Sequence, residues 1–456
     1  MGSDNARPGQ AHYRCVGAGA GPANLSLASL LYSHPETTNL FLDRKAAFSW
    51  HDSQQIPGTT LQVSTFKDLV SLADPTNPFS FLSYLHEQGR VYHFLNAQFA
   101  EVPRQEFRNY LEWAGRRNEN VVFGEEVREV DFDSTGDGRY VVRTDRRRVT
   151  ADNVVVGVGT RPWVPPHARA GLGRSHFHVS EFLEKAGDVG GKRVAVIGGG
   201  QSGAEAFLDL ISRPAAERPD RVSWFSRRRN YLPLDDSPFT NDFYMPCHSE
   251  HHYNLPAEAR SAFNVEQLLS SDGISEVTLR QIYQQLYLLS FVTGAPGLAS
   301  LYPHREVTDV TGGDSEPRHL TIRHKDEPGA VEHERADVVI WATGFRPAPM
   351  DFLAPVADRL EREGDELRVD QDYAVHWDGP LNRRIFVQNA VREQRGLADP
   401  NLSLNAWRSR RIADRLRGVR TEEQLPSFVA WSSKASAEQY RTLSGTGTTM
   451  KKRYRT

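Results

Sequence analysis

Two short glycine-rich turns hold the residues of this sequence best suited to chemistry. Gly17, Gly19 and Gly21 stand in "CVGAGAGPANLSL", and Gly198, Gly200 and Gly203 in "AVIGGGQSGAEAF". Glycines at this spacing let a backbone turn tightly and approach a pyrophosphate. A helix beginning there offers the anion free N–H groups and a partial positive charge. The second turn has all three glycines of G-x-G-x-x-G. In the first, Pro22 takes the third slot. Proline is tolerated in the first turn of a helix, where its missing N–H has no intrahelical partner.

The strand after each turn separates the two nucleotides. "NLFLD" ends in Asp43, whose carboxylate can accept from ribose hydroxyls and disfavours a 2′-phosphate. "RVSWFSRRR" ends in Arg227, Arg228 and Arg229 with no acid, and guanidinium forks suit a 2′-phosphate. Gly17, Gly19, Pro22 and Asp43 therefore suit FAD. Gly198 and Gly200 with Arg227 or Arg228 suit NADPH.

The elements that must position these residues are strands alternating with helical patterns. Ala23, Leu27, Leu30 and Leu31 share one helical face after the first turn; Ala204, Phe207, Leu208 and Ile211 share one after the second. Two more strands, "NVVVGVG" and "DVVIWATG", end in glycine. The pattern predicts an α/β fold with two Rossmann-like dinucleotide-binding domains built on parallel sheets. The expected division is an FAD domain over 12–165 completed by 346–420, and an NADPH domain over 166–230 and 295–345. An inserted, mostly helical substrate segment over 231–294 and flexible ends at 1–11 and 433–456 complete it.

Composition narrows the class. The 456 residues carry a net charge of −3 and include two cysteines, Cys15 and Cys247. No nucleic-acid partner is expected from that charge. The absence of C-x-x-C excludes the dithiol of a flavoprotein disulfide reductase. A flavin monooxygenase needs flavin, NADPH and oxygen, and no dithiol. No apolar signal segment or 18-residue apolar run occurs, so a cytoplasmic protein without membrane partners is expected. His248, His251 and His252 in "CHSEHHY" read as loop or surface residues, not as a metal site.

At these residues the chain resembles the N-hydroxylating flavin monooxygenases, the lysine, ornithine and diamine hydroxylases of siderophore biosynthesis. The resemblance runs over about residues 12 to 420. It rests on G-x-G-x-x-P followed by Asn24, and on "FSWH", "LQVSTFKDLVSLADPTNPFSFLSYL", "RQEFRNYLEWA", "GGGQSGAE", "DDSPFTNDFYMP", "ATGF" and "LSLNAWRS". It implies that Trp50, His51 and Gln62 line the flavin, that Gln201 and Ser202 meet NADPH, and that Leu402 and Ser403 lie near flavin and substrate. It further implies that Lys67 and Asn241 contact the substrate's polar end. The implied reaction is N-hydroxylation of a terminal primary amine through a C4a-hydroperoxyflavin, by a homo-oligomer.

Some positions depart from the pattern. "SSDGIS" replaces the Asn-Tyr-Ser run of ornithine hydroxylases, and "QRG" with Arg395 replaces Thr-His-Gly. The first departure counts against ornithine and resembles the lysine and diamine enzymes. A diamine wants an acid at its far end, which Asp272 can supply; lysine wants a cation on its carboxylate, which Lys67 can supply. Overall resemblance places a small diamine first, putrescine or then cadaverine, with L-lysine as the alternative. An uncoupled NADPH oxidase and a non-catalytic nucleotide sensor remain as readings from other classes. An alkyl amine of pKa about 10.4 must shed its proton to act as a nucleophile, costing about 4–5 kcal/mol at pH 7. Burial and a nearby cation both lower that pKa.

Overall fold

The computed structural model describes residues 11–313, 316–421 and 427–433. The flexible ends expected from the sequence lie outside these residues, except for 11 and 433.

Two sheets organise the chain. The first runs in the order Val121–Phe123, Asn39–Asp43, His12–Ala18, Arg148–Val156, Arg139–Thr144, Val127–Asp133, and Ile385–Val387 pairs with the end of Arg148–Val156. Its first four strands and Ile385–Val387 are parallel; the last two close it as an antiparallel edge. The second sheet is wholly parallel: Ala299–Tyr302, Arg221–Phe225, Arg193–Ile197, Val338–Trp341, His176–His178. Parallel strands are covered by helices on both faces, so they read as unbroken apolar runs. Val154, Val155 and Val156, like Val339, Ile340 and Trp341, are buried accordingly.

An antiparallel meander, Arg305–Thr311, Arg318–His324 and Val331–Ala336, is attached to the second sheet's side of the molecule. The chain crosses between the two sheets twice. The crossings pair as a short antiparallel ribbon, Thr160–Pro162 with Phe345–Pro347.

The stretch between Phe225 and Ala299 is helical. It contains Thr240–Tyr244, Pro246–Tyr253, Ala257–Glu266, Leu269–Asp272 and Glu276–Tyr287, then one π-turn over Leu288–Val292. This segment belongs to both cores. Tyr244 is buried in the first, Ile274, Ile282 and Leu289 in the second. Ile56, on a loop of the first unit, is buried in the second core. No helix among the described residues is long and apolar enough to cross a membrane.

Candidate functional site

Each glycine of the first turn has a distinct steric reason. Gly17 pairs with Phe41 across the sheet, and a β-carbon on it would overlap the Phe41 ring. Gly19 has φ +88°, and a β-carbon there would sit 2.5 Å from the Gly157 carbonyl. At Gly21 nothing lies within 4 Å. The helix Pro22–Leu31 starts there with Pro22 in its first turn and no side-chain cap, so its N-terminal donors stay available to a phosphate. One oxygen of Asp43 accepts from the Ala20 N–H of this turn and the other from Lys45 N–H, both at 2.9 Å. Each oxygen keeps a lone pair for a ribose hydroxyl.

Asn24 holds the turn from beneath. Its amide donates to the carbonyls of Ala18 (3.1 Å) and Gly19 (2.7 Å), and its Oδ1 accepts from Gln388 Nε2 at 2.8 Å. Gln388 in turn accepts from Arg408 Nε at 3.1 Å. Arg408 is fully buried, and also donates to Asp399, Asn389 and Asn405. Asn405 returns a bond to the Pro22 carbonyl at 2.9 Å. Sequence reasoning quoted Arg408 and Asn405 within "LSLNAWRS" but gave them no role. Arg408's partners lie within twenty residues of it, but they reach the first turn only through Asn405 on Pro22 and Gln388 on Asn24, contacts more than 360 residues apart in the chain.

The second turn is tighter. Gly198 has φ +139°, and a β-carbon there would overlap the carbonyl of Ala342 on the neighbouring strand. At Gly203 it would overlap the Gly198 carbonyl, so this glycine lets the helix Gln201–Ser212 lie against its strand. Gly200 faces open space, its nearest neighbour being the Asp272 carbonyl at 3.7 Å. Ser202 lies half-buried in the helix's first turn.

The arginines diverge. Arg228 folds back across the turn, with Nη1 donating to the carbonyls of Gly199 (3.0 Å) and Asp272 (2.8 Å). Burial lowers its pKa, opposed by the Asp272 carboxylate. Arg227 is exposed, with Glu306 at 3.9 Å, and Arg229 pairs with Asp326 at 3.0 Å. Gln201 reaches sideways: its Nε2 donates to Glu205 (2.9 Å) and Thr278 (3.2 Å), and its Oε1 accepts from Ser275 N–H (2.7 Å).

Between the two turns runs the loop carrying Trp50, His51 and Gln62. The Trp50 ring packs on His51 and Phe107, and His51 also meets Phe345 of the crossing ribbon. His51 sits at φ 53° and its ring bonds Gln54. His51 keeps substantial contact with solvent, yet protein packs densely around its ring. That burial, only partly offset by the Gln54 bond, lowers its pKa. Gln62 Nε2 is buried with no partner. A donor so placed wants an acceptor, and the flavin ring edge supplies carbonyl and nitrogen acceptors. The two cradles and this orphaned donor fit FAD and NADPH.

Of the substrate candidates, Lys67 and the turn Thr240–Tyr244 meet. Lys67 Nζ lies 6.0 Å from the centre of the Tyr244 ring, and burial lowers its pKa. No carboxylate among the described residues pairs with it. Its neighbour Asp68, which sequence reasoning passed over, is fully engaged, accepting from Val70, Ser71 and Phe81 N–H and from the Ser71 hydroxyl. Asn241 is exposed, and its amide donates to the Asp236 carbonyl at 2.8 Å. Asp272 lies toward the second turn, its carbonyl on Arg228 and its carboxylate accepting from Ser271. Ser403 is buried in the turn Leu402–Leu404, whose Leu402 packs on the first core.

One expectation changes. His248 and His252 are not loop or surface residues: both are buried on the helix Pro246–Tyr253, against Phe263. Among the described residues no group of His, Cys, Asp or Glu is placed to hold a metal. Burial, the first cause for each, lowers the pKa of His248 to about 3 and of His252 to about 4. The unfolded chain protonates these rings near pH 6.5 while the native one resists. Their contribution is therefore intact above pH 6.5 and lost as pH falls, by on the order of 1 kcal/mol per ring per pH unit. Thermal unfolding of a His248→Asn/His252→Asn variant should show a shallower loss between pH 6.5 and 4.5 than the parent. Equal slopes would show that these rings do not titrate with unfolding.

Fold and cradles together define a flavoprotein with separate FAD and nicotinamide-nucleotide units. The family described as L-lysine 6-monooxygenase/L-ornithine 5-monooxygenase matches residues 11–347, and the chain belongs to that family, the N-hydroxylating flavin monooxygenases of siderophore biosynthesis. It is 35% identical over 421 residues to the L-lysine N6-monooxygenase of Escherichia coli, covering 92% of this chain and 98% of that protein. Among solved structures it resembles the FAD-bound cadaverine monooxygenase of desferrioxamine biosynthesis from Erwinia amylovora. That match has a TM-score of 0.85 and 26% identity, covering 93% of this chain and 100% of that one. The ornithine N-hydroxylase of Kutzneria sp. 744, with reduced FAD, NADP+ and L-ornithine, matches with a TM-score of 0.81 and 28% identity. It covers 89% of this chain and 99% of that one. The enzyme is thus an FAD- and NADPH-dependent monooxygenase.

Proposed function

We propose that the amine oxidised is the terminal amine of L-lysine. The overall reaction is R–NH2 + O2 + NADPH + H+ → R–NHOH + NADP+ + H2O. The observation that carries this reading is Lys67, a half-buried ammonium over the Tyr244 ring with no carboxylate partner among the described residues. A cation so placed favours a substrate that brings its own carboxylate. That reverses the order read from the sequence, where a diamine came first.

FAD reduced by NADPH supplies the activated oxygen; the protein binds, orients and controls protons. Gln62 offers a buried donor to the flavin, and Asn24, through Gly19, holds the turn beneath the pyrophosphate. Lys67 would anchor the carboxylate end, and its charge would help keep the reacting amine neutral.

Cadaverine is lysine without the carboxylate, so the pair isolates this contact. Lys67→Met should raise KM for lysine about 10–100-fold, the worth of one charge-assisted contact, and leave cadaverine within a few-fold. A parent enzyme that oxidises cadaverine as efficiently as lysine would overturn the reading. The diamine reading keeps one observation of its own: the Asp272 carboxylate makes no close ion pair among the described residues, Arg228 acting on it only through longer-range attraction. On that reading Asp272→Asn should impair cadaverine or putrescine turnover and spare lysine. Association of identical chains and a cytoplasmic location belong to the same proposal; sedimentation velocity measures the first.

A further inference from the structure

A continuous chain of polar contacts joins the flavin-side loop, the NADPH-side helix and the inserted segment. At its centre Arg104 grips Glu205 with both prongs, Nη1 to Oε2 at 2.9 Å and Nη2 to Oε1 at 2.7 Å. Arg104 opens the helix Arg104–Arg117 of the first unit; Glu205 lies in the first turns of Gln201–Ser212 in the second. The pair is largely screened from water, with side-chain exposures of 14% and 5%. On one side Arg104 also donates to the carbonyls of Gln54 and Thr60, clasping the loop between Trp50 and Gln62. On the other, Glu205 accepts from Gln201, which is bonded to Ser275 and Thr278 of the inserted segment.

We propose that Arg104 and Glu205 are positioning residues that set the NADPH unit against the FAD unit for hydride transfer. The covalent link between the units is the two-stranded ribbon Thr160–Pro162 with Phe345–Pro347, and the apolar contacts that join them through Ile56 and the inserted segment are non-directional. A bidentate pair fixes orientation as well as distance, and hydride transfer demands both. The pair also has an electrostatic task. Glu205 lies one turn from the N-terminus that receives the pyrophosphate, and without Arg104 its charge would repel that anion. The inference does not depend on which amine is oxidised.

The test uses the FAD-loaded enzyme and four variants: Arg104→Gln, Glu205→Gln, the double variant, and Arg104→Lys. Three quantities are read: NADP+ affinity by titration, the anaerobic rate of flavin reduction by NADPH, and the radius of gyration by small-angle X-ray scattering. Arg104→Gln should slow flavin reduction at least 10-fold, weaken NADP+ binding and enlarge the radius of gyration, with FAD affinity and amine KM unchanged. Arg104→Lys, which keeps the charge but not the fork, should recover NADP+ affinity more fully than the reduction rate. The double variant should bind NADP+ no worse than Arg104→Gln, because removing Glu205 removes the repulsion. Effects of the two single changes that multiply in the double variant would overturn the proposal. So would an unchanged reduction rate, or a loss of FAD affinity in parallel with it.

Discussion

Arg408→Leu is expected to destabilise the enzyme by about 3–5 kcal/mol, the cost of breaking a buried ion pair from one side, and to weaken FAD binding with it. Asp399, wholly buried, would keep one backbone donor, Val391 N–H, and lose its cation. Burial already raises the Asp399 pKa, and Arg408 is the largest influence opposing that rise. Gln388, Asn389 and Asn405 would each lose a donor as well. Because Gln388 braces Asn24, and Asn24 holds the Gly19 carbonyl, the disturbance reaches the phosphate turn through two side chains. Thermal unfolding and FAD titration measure the two effects. Arg408→Lys, with charge but no planar fork, should fall between them and the parent. Unaltered FAD affinity in Arg408→Leu would show that the turn stands without its brace.

Gly198→Ala is expected to reduce NADP+ affinity at least 100-fold, about 3 kcal/mol, in a protein that stays yellow with FAD. Two independent obstacles meet at Gly198. Its φ of +139° is a conformation that residues with a β-carbon avoid, and the added carbon would overlap the Ala342 carbonyl. Register makes the overlap unavoidable. Ile197 pairs with Trp341, so the next residues, Gly198 and Ala342, emerge side by side at the end of the sheet. The strand ends cannot part without breaking the Ala342 N–H to Ile197 carbonyl bond, and the Gly198 N–H to Phe225 carbonyl bond holds Gly198 from its other side. Gly200→Ala makes the comparison, since its β-carbon would meet no protein atom closer than 3.7 Å. It should weaken NADP+ only by crowding the ligand and leave thermal stability unchanged. Equal NADP+ affinity in Gly198→Ala and the parent would sink the assignment of this turn.

Much of the architecture was legible because it is written locally. A glycine turn, an apolar strand before it and an amphipathic helix after it are contiguous, and both copies gave the two-nucleotide fold. Asp43 at the end of one second strand, and arginines at the end of the other, stood where strand length put them. Pro22 raised a doubt that its place in the first helical turn resolves. The histidines misled for a complementary reason. "CHSEHHY" is polar in composition, but its burial comes from Phe243 in the preceding turn and from Phe263 and Trp431, which fold onto it from farther along the chain.

What only the tertiary structure decided is which polar groups are already spoken for. By its position alone Arg228 is as eligible for a 2′-phosphate as Arg227, yet its Nη1 is committed to the carbonyls of Gly199 and Asp272. Asp272 and Lys67 look alike as candidate anchors, yet the Asp272 backbone carbonyl is bonded to Arg228 while Lys67 stands over the Tyr244 ring. Arg104 and Glu205, like Asn24 and Gln388, carry no signal of pairing, because contact between residues far apart in the chain has no periodicity to betray it. The sequence by itself determined the two phosphate turns, the nucleotides they suit and the absence of a dithiol, since backbone sterics and residue chemistry act at short range. The tertiary structure decided the bracing of those turns, the clasp between the two units and the unpaired ammonium of Lys67, since burial and partnership exist only once the chain has closed on itself.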